Sequence, residues 1–213
     1  MKSALLNHRT TRVLLIAILL LAACGGGGGG SGTTSSSGGS PGISTSSSSS
    51  SSGVSSSSSG GTPITVSPED ACGIADFGTT MLAAVNAARA TGRNCGTTWY
   101  AAAPALAWNA QLAQAAAAHS HDMANNNYFS HTGLNGSTPV DRIAATGYLG
   151  SAWAENIYGG PSDIATVMTG WLASEGHCVD IMTAALKDFG AACATNASST
   201  YRNYWTQDFA SPR

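Results

Sequence analysis

Three short patches carry side chains whose types suit chemistry: YFSHTG around His131, AENIYGG around Glu155, and GWLASEGHC around Glu175 and His177. Together they hold two of the five histidines and two of the three glutamates. Neutral imidazoles at His131 and His177 could ligate a divalent transition ion such as zinc. The same four residues could serve as general acids and bases, because histidine titrates near neutral pH. Each also has a plainer reading. His131 follows Phe129-Ser130 in a loop, where most histidines are simply solvated. Glu155 sits among apolar neighbours in a strand-like stretch, so it needs a partner or a shifted pKa. A buried structural ion pair accounts for it as well as catalysis does. Glu175 lies on an apolar helical stripe but directly before Gly176, where a frayed last turn would leave it in water. His177 stands beside Cys178, a candidate staple that would fix its backbone, and helix capping is the alternative. No covalent nucleophile accompanies them. GxSxG is absent, and Ser130 and Ser174 carry little weight in a serine-rich chain.

The elements that must position these residues follow from periodicity. Phe77 to Gly92 reads as a helix capped by Thr79 or Thr80, with Met81, Leu82, Val85 and Ala88 at helical spacing. A second helix runs from near Asn109 to about Asn126. Its buried stripe is Leu112, Ala116, His119 and Met123, while His121 faces away. The run Ala115–Ala118 implies close packing against a neighbour. Tyr128–Gly136 is the loop that holds His131. Thr138-Pro139 starts a short helix to about Thr146. Ala152–Tyr158 is a strand carrying Glu155, stopped by Gly159-Gly160. Pro161-Ser162-Asp163 opens a helix whose stripe is Ile164, Met168, Trp171, Leu172 and Glu175. Gly176 breaks it, and a short helical segment, Val179–Leu186, follows. Lys187–Thr195 and Tyr201–Phe209 read as two strands of a hairpin across Asn196–Thr200. The class is α+β, with helices enclosing a small, mostly antiparallel sheet.

Residues ahead of this domain read as delivery. Residues 1–23 have a basic start and an apolar run from Val13 to Ala23, too short for a comfortable span and suited to a secretory signal. The signal ends in Leu21-Ala22-Ala23-Cys24, which resembles the bacterial lipoprotein signal, whose cysteine is lipidated and becomes the first residue. An ordinary cut at Ala-x-Ala with an incidental Cys24 is the alternative. Residues 24–67 are the lipidated cysteine and a Gly/Ser-rich tract that cannot bury apolar area. As a flexible coil it would reach about 35–40 Å, enough to hold a domain clear of a membrane. The folded domain is then 68–213. The expected place is the bacterial cell envelope, lipid-anchored or extracellular. Gly25 is not the inner-membrane retention aspartate, which favours the outer membrane.

From Cys24 onward, six Lys/Arg face eleven Asp/Glu, with no basic run. Phosphate binding needs clustered cations, so a nucleic-acid partner is excluded. A monomer is expected. Apart from Cys24 there are four cysteines: Cys72, Cys95, Cys178 and Cys193. An even number in an exported chain points to disulfides, and four allow three pairings. The sequence-local choice, Cys72–Cys95 with Cys178–Cys193, is preferred. A metal site built from the four competes poorly, because no CxxC pair occurs.

With these residues in place, Thr79 to Ala210 resembles a CAP domain. That superfamily includes cysteine-rich secretory proteins, insect antigen 5 and plant pathogenesis-related proteins, and the resemblance is to its bacterial SCP-like form. The resemblance is carried by Val85-Asn86-Ala87-Ala88-Arg89, LAWNAQLA, His119 with Asp122-Met123, YFSH, Asp141-Arg142-Ile143, AENI, Trp171 with Ser174 and Gly176-His177, and YWTQDFA. It implies a three-layer α-β-α sandwich and a cleft of two histidines and two glutamates. His131 and Glu155 match the first of each, and His177 matches the histidine of the bacterial Gly-His motif. The second glutamate of animal and plant members falls where this chain has Ser174. Glu175, the next residue, either substitutes for it or leaves the site with one glutamate. Those members also place a histidine where Tyr204 stands here. The resemblance implies three functions: a binding module for a divalent metal, lipid or sterol-like molecule, or envelope component; a metal-assisted hydrolase; or a non-catalytic interaction domain.

Overall fold

Side-chain alternation in two central strands sets the layers. The computed structural model describes residues 64–213; the signal and Cys24 lie outside the described residues. A 3-10 turn (Pro68–Asp70) leads into α1 (Phe77–Arg89), β1 (Arg93–Cys95), β2 (Thr98–Tyr100), β3 (Ala107–Trp108) and α2 (Ala110–Asn126). There follow α3 (Pro139–Ala145), β4 (Gly150–Gly159), α4 (Ile164–Ala173), α5 (Glu175–Met182), β5 (Asp188–Thr195) and β6 (Asn203–Pro212). The main sheet has the order β3-β5-β6-β4, and β1-β2 form a separate hairpin. Only the β3–β5 pair of the main sheet is parallel.

Phe189, Ala191 and Cys193 of β5, with Trp205 and Phe209 of β6, share one buried cluster with α1, α4 and α5. The alternate residues face α2 and α3: Ala210 packs with Leu112 and Ile143, and Ala194 and Tyr204 pack with Met123. This is the α-β-α sandwich. Helix α2 lies very close to β5. A Cβ on Gly190 would stand 2.1 Å from the backbone nitrogen of Ala113, so only glycine fits there. The domain begins slightly ahead of residue 68, since Val66 already packs on the core. Among the described residues, no helix is long and apolar enough to cross a membrane.

Helix starts follow the capping chemistry in the sequence. Asn109 accepts from the backbone N–H groups of Gln111 and Leu112, Asp163 from that of Thr166, and Thr138 forms a full capping box with Asp141. Helix α1 departs from expectation. Its N-cap is Asp76 in a left-handed conformation, Thr79 and Thr80 lie inside the helix, and it ends at Arg89, before Gly92. Arg89 is fully buried and donates to the carbonyls of Pro104, Ile181, Thr183 and Leu186. Those carbonyls include the end of α5 and the turn after it, so α1 fixes α5 in place.

Two expectations are corrected. The stripe of α4 does not reach Glu175. Ser174 is extended (φ −97°, ψ 125°), ending α4 and opening α5, so the segment expected at Val179–Leu186 is instead Glu175–Met182. The disulfides are Cys72–Cys193 and Cys95–Cys178, with Cα–Cα distances of 5.2 and 5.4 Å, not the sequence-local pairs. The turn after Pro68 lies along β5, where Ala71 bridges Cys193 and Cys72 donates to the Cys193 carbonyl at 3.0 Å. Hairpin β1-β2 packs on α5 and so meets Cys178.

Candidate functional site

Strand β4 is an edge of the main sheet, so elements from both helical layers reach its end. From the α2/α3 side comes the loop after Asn127, whose left-handed cap (φ 52°) turns the chain off α2. Three buried groups pin this loop. The His119 ring contacts the Ser130 carbonyl through Nε2 at 2.9 Å, Arg142 donates to the His131 carbonyl at 3.0 Å, and His131 Nδ1 meets Glu155 Oε1 at 2.8 Å. From the α4/α5 side comes His177, whose carbonyl accepts from Asn156 of β4 at 3.3 Å. An open cleft of about 620 Å³ lies between them. Its walls are Phe129, Tyr158 and Tyr201, its floor is Ile157 and Gly159, and Ser130, His131 and His177 supply its polar atoms. No Lys, Arg, Asp or Glu lines it.

The charges sit beneath. The Glu155 side chain is 2% exposed, while that of His131 is 51% exposed. Glu155 Oε2 accepts from Arg142 Nη2 at 2.5 Å, and Nη1 of the same arginine donates to the Ser137 carbonyl. A buried charge needs this kind of pairing. With Nδ1–H donated to a carboxylate, a neutral His131 carries its acceptor at Nε2. His119 is fully buried, and burial pushes its pKa below the ordinary value, with the Glu155 charge opposing. Burial also lowers the pKa of His177, and the nearby His131 lowers it further. Asp180, three residues on in α5, is pushed up to about 6 by burial, with His131 opposing.

The sequence-derived residues divide. His131, Glu155 and His177 come together. Glu175 does not: it is exposed at the start of α5, with its carboxyl against Gly96 of the β1-β2 turn, outside the cleft. Arg142, His119, Asp180 and Asp208 were missed as site residues. Arg142 and Asp208 sat inside quoted motifs, and the i, i+3 spacing of His177 and Asp180 on one helix face was the available signal. Tyr204, where the family resemblance puts a histidine, is buried in the core and does not line the cleft.

The donors fall short of a metal centre. Glu155 is paired with His131 and Arg142 beneath the cleft and does not line it, which leaves two imidazoles facing it, whereas an open zinc site takes three protein ligands. Among the described residues, no group of three or more His, Cys, Asp or Glu is placed to hold a metal.

The pattern of the cysteine-rich secretory protein family, CAP, matches residues 82–209. The chain belongs to the CAP family. Two Bacillus subtilis proteins are similar to this CAP domain. The uncharacterized membrane protein YlbC is 32% identical over 49% of this chain and 28% of its own length, and the uncharacterized protein YkwD is 31% identical over 46% and 36%. The chain thus corresponds to a minor part of each. A solved extracellular SCP-domain protein of Bacillus anthracis is 34% identical, covering 51% of this chain and 34% of that one, with a TM-score of 0.46.

Proposed function

We propose that this CAP protein is an extracytoplasmic binding module, tethered through a lipidated Cys24, whose cleft takes a small neutral amphiphile. The observation behind this reading is the cleft wall: three aromatic side chains, two imidazoles and no charged group. Apolar pockets with a few convergent polar atoms favour ligands with an apolar body and one hydrogen-bonding end. A charged head would enter such a site without a counter-ion, at a desolvation cost.

Calorimetry with 1-dodecanol, and dodecanoate as the charged control, tests this on the chain from Cys24 with Cys24→Ser. Dodecanol should bind one-to-one, at least tenfold tighter than dodecanoate. Phe129→Ala or Tyr201→Ala should weaken it roughly tenfold, the effect of losing one large apolar contact. Equal affinity for both probes, or none for either, overturns the reading. Zinc added alone is the competing arm: tight one-to-one uptake lost in His131→Ala would replace the amphiphile with a metal. Membrane fractionation tests the tether, since Cys24→Ser should release the protein.

Hydrolysis is the second reading, favoured by the His131–Glu155 pair, which orients an imidazole as a base would be oriented. It predicts turnover of a nitrophenyl ester that disappears in His131→Ala.

A further inference from the structure

Asp208 is 1% exposed and stands directly opposite Glu155 in the β4–β6 register. Opposite residues of an antiparallel pair project side by side from one face. On its other flank Asp208 pairs with Gly190, which offers no side chain. The charged groups that act on it are Glu155 from β4 and Arg142 from α3, and His119 from α2 stands 3.9 Å from Glu155. Neither Asp208 oxygen meets a hydrogen-bond donor. Arg142 is committed elsewhere: its Nη atoms go to Ser137, His131 and Glu155, and its Nε has no acceptor. His119 spends Nε2 on Ser130.

An ionised Asp208 would therefore be a buried acceptor-only group without a donor, beside a second acceptor-only group whose own donors are Arg142 and His131. Carrying its proton, it becomes a donor, and the acceptor beside it is Glu155. Burial and then the Glu155 charge hold the Asp208 carboxyl well above the ordinary carboxylate range, against a smaller opposing effect of Arg142.

We propose that Asp208 is a positioning residue that stands as a neutral carboxylic acid and donates its hydrogen to Glu155. Glu155 then accepts from three groups, Asp208, Arg142 and His131, and its single charge is matched by Arg142. The chain Asp208–Glu155–His131 fixes Nδ1 as the protonated nitrogen of His131. The residue facing the cleft is left with a bare acceptor, so a bound molecule supplies a hydroxyl or amide hydrogen to it. The protonation of Asp208 does not depend on what fills the cleft, so its test is separate from the binding experiments.

The chain carrying Cys24→Ser, labelled with carbon-13 at the aspartate carboxyls, is titrated from about pH 5 to about pH 8, a range well above the ordinary aspartate value. One resonance should keep its protonated position throughout, while that of Asp180 moves near pH 6. Asp208→Asn should remove the unmoving resonance. It should leave the His131 imidazole nitrogen-15 shifts in the Nδ1–H pattern, because an amide N–H replaces the O–H. A wild-type spectrum in which every aspartate carboxyl is ionised at neutral pH overturns the proposal, and so does a switch of His131 to the other tautomer in Asp208→Asn. Should that variant not fold, the wild-type titration decides alone.

Discussion

Removing the charge from Glu155 would leave Arg142 buried without a counter-ion. Glu155→Gln keeps the shape and an acceptor for His131 but removes the charge and the second acceptor oxygen that face Arg142. A loss of about 3 kcal/mol is expected in urea denaturation, as for other broken buried pairs; a loss under about 1 kcal/mol would mean that water reaches Arg142. Acid acts through different residues. The folded state resists protonating His177, whose pKa is lowered by burial and by His131, whereas the unfolded chain takes up a proton near pH 6.5. Stability from this group is therefore lost as pH falls below about 6.5. Asp180 has the opposite sign: its folded value of about 6 exceeds the unfolded one, so its contribution is lost as pH rises from about 4 to about 6. Between pH 7 and pH 5, the fall in Tm should shrink in His177→Asn and grow in Asp180→Asn. His131, Glu155 and His177 were legible because titratable groups stood in unusual company. Asp208 was not, because its meaning lies in the β4–β6 register, and nothing local in YWTQDFA says which strand lies beside it.

At the scale of elements, the site depends on how closely α2 sits on β5 and how firmly α5 is held. Gly190→Ala drives a methyl into the α2 backbone, which cannot rotate away as a side chain could. A destabilisation of about 3 kcal/mol is expected by calorimetry, at the upper end for overpacking. Arg89→Met would strip the donors from four carbonyls and loosen α5, so the His177 signals should broaden before the protein melts. The long elements could be read from sequence because caps and periodicity agreed: α2, α3, β4 and β5 fall where expected, within a residue or two. The failures were local. Strands β1, β2 and β3 are two or three residues long and show no period. The break at Ser174 is a backbone torsion, not a composition, and it alone removed Glu175 from the stripe.

Over the whole molecule, the two disulfides are nested, Cys95–Cys178 inside Cys72–Cys193. They close loops of 83 and 121 residues, where local pairing would have closed short ones. In the chain-entropy model each contributes about 4–5 kcal/mol, less when the other is already closed. Cys95→Ser/Cys178→Ser should lower stability by up to about 4 kcal/mol and free hairpin β1-β2 from α5, read as a fall in urea midpoint. The even cysteine count was legible. The partners were not, because pairing reports which distant segments meet after folding.

The outer disulfide also determines how the domain would carry load. A pull arriving from the N-terminal side meets Cys72 close to the start of the described residues and passes through sulfur to Cys193, in a central strand of the sheet. The 121-residue span between the two cysteines cannot pay out as slack. Stretched between its ends, the oxidised protein can lengthen only by the chain before Cys72 and after Cys193, so α1, α2 and β4 stay out of the force path, while β6 and the Tyr201 wall of the cleft lie in it. In a single-molecule pull, reduction should change a short extension into one several times longer.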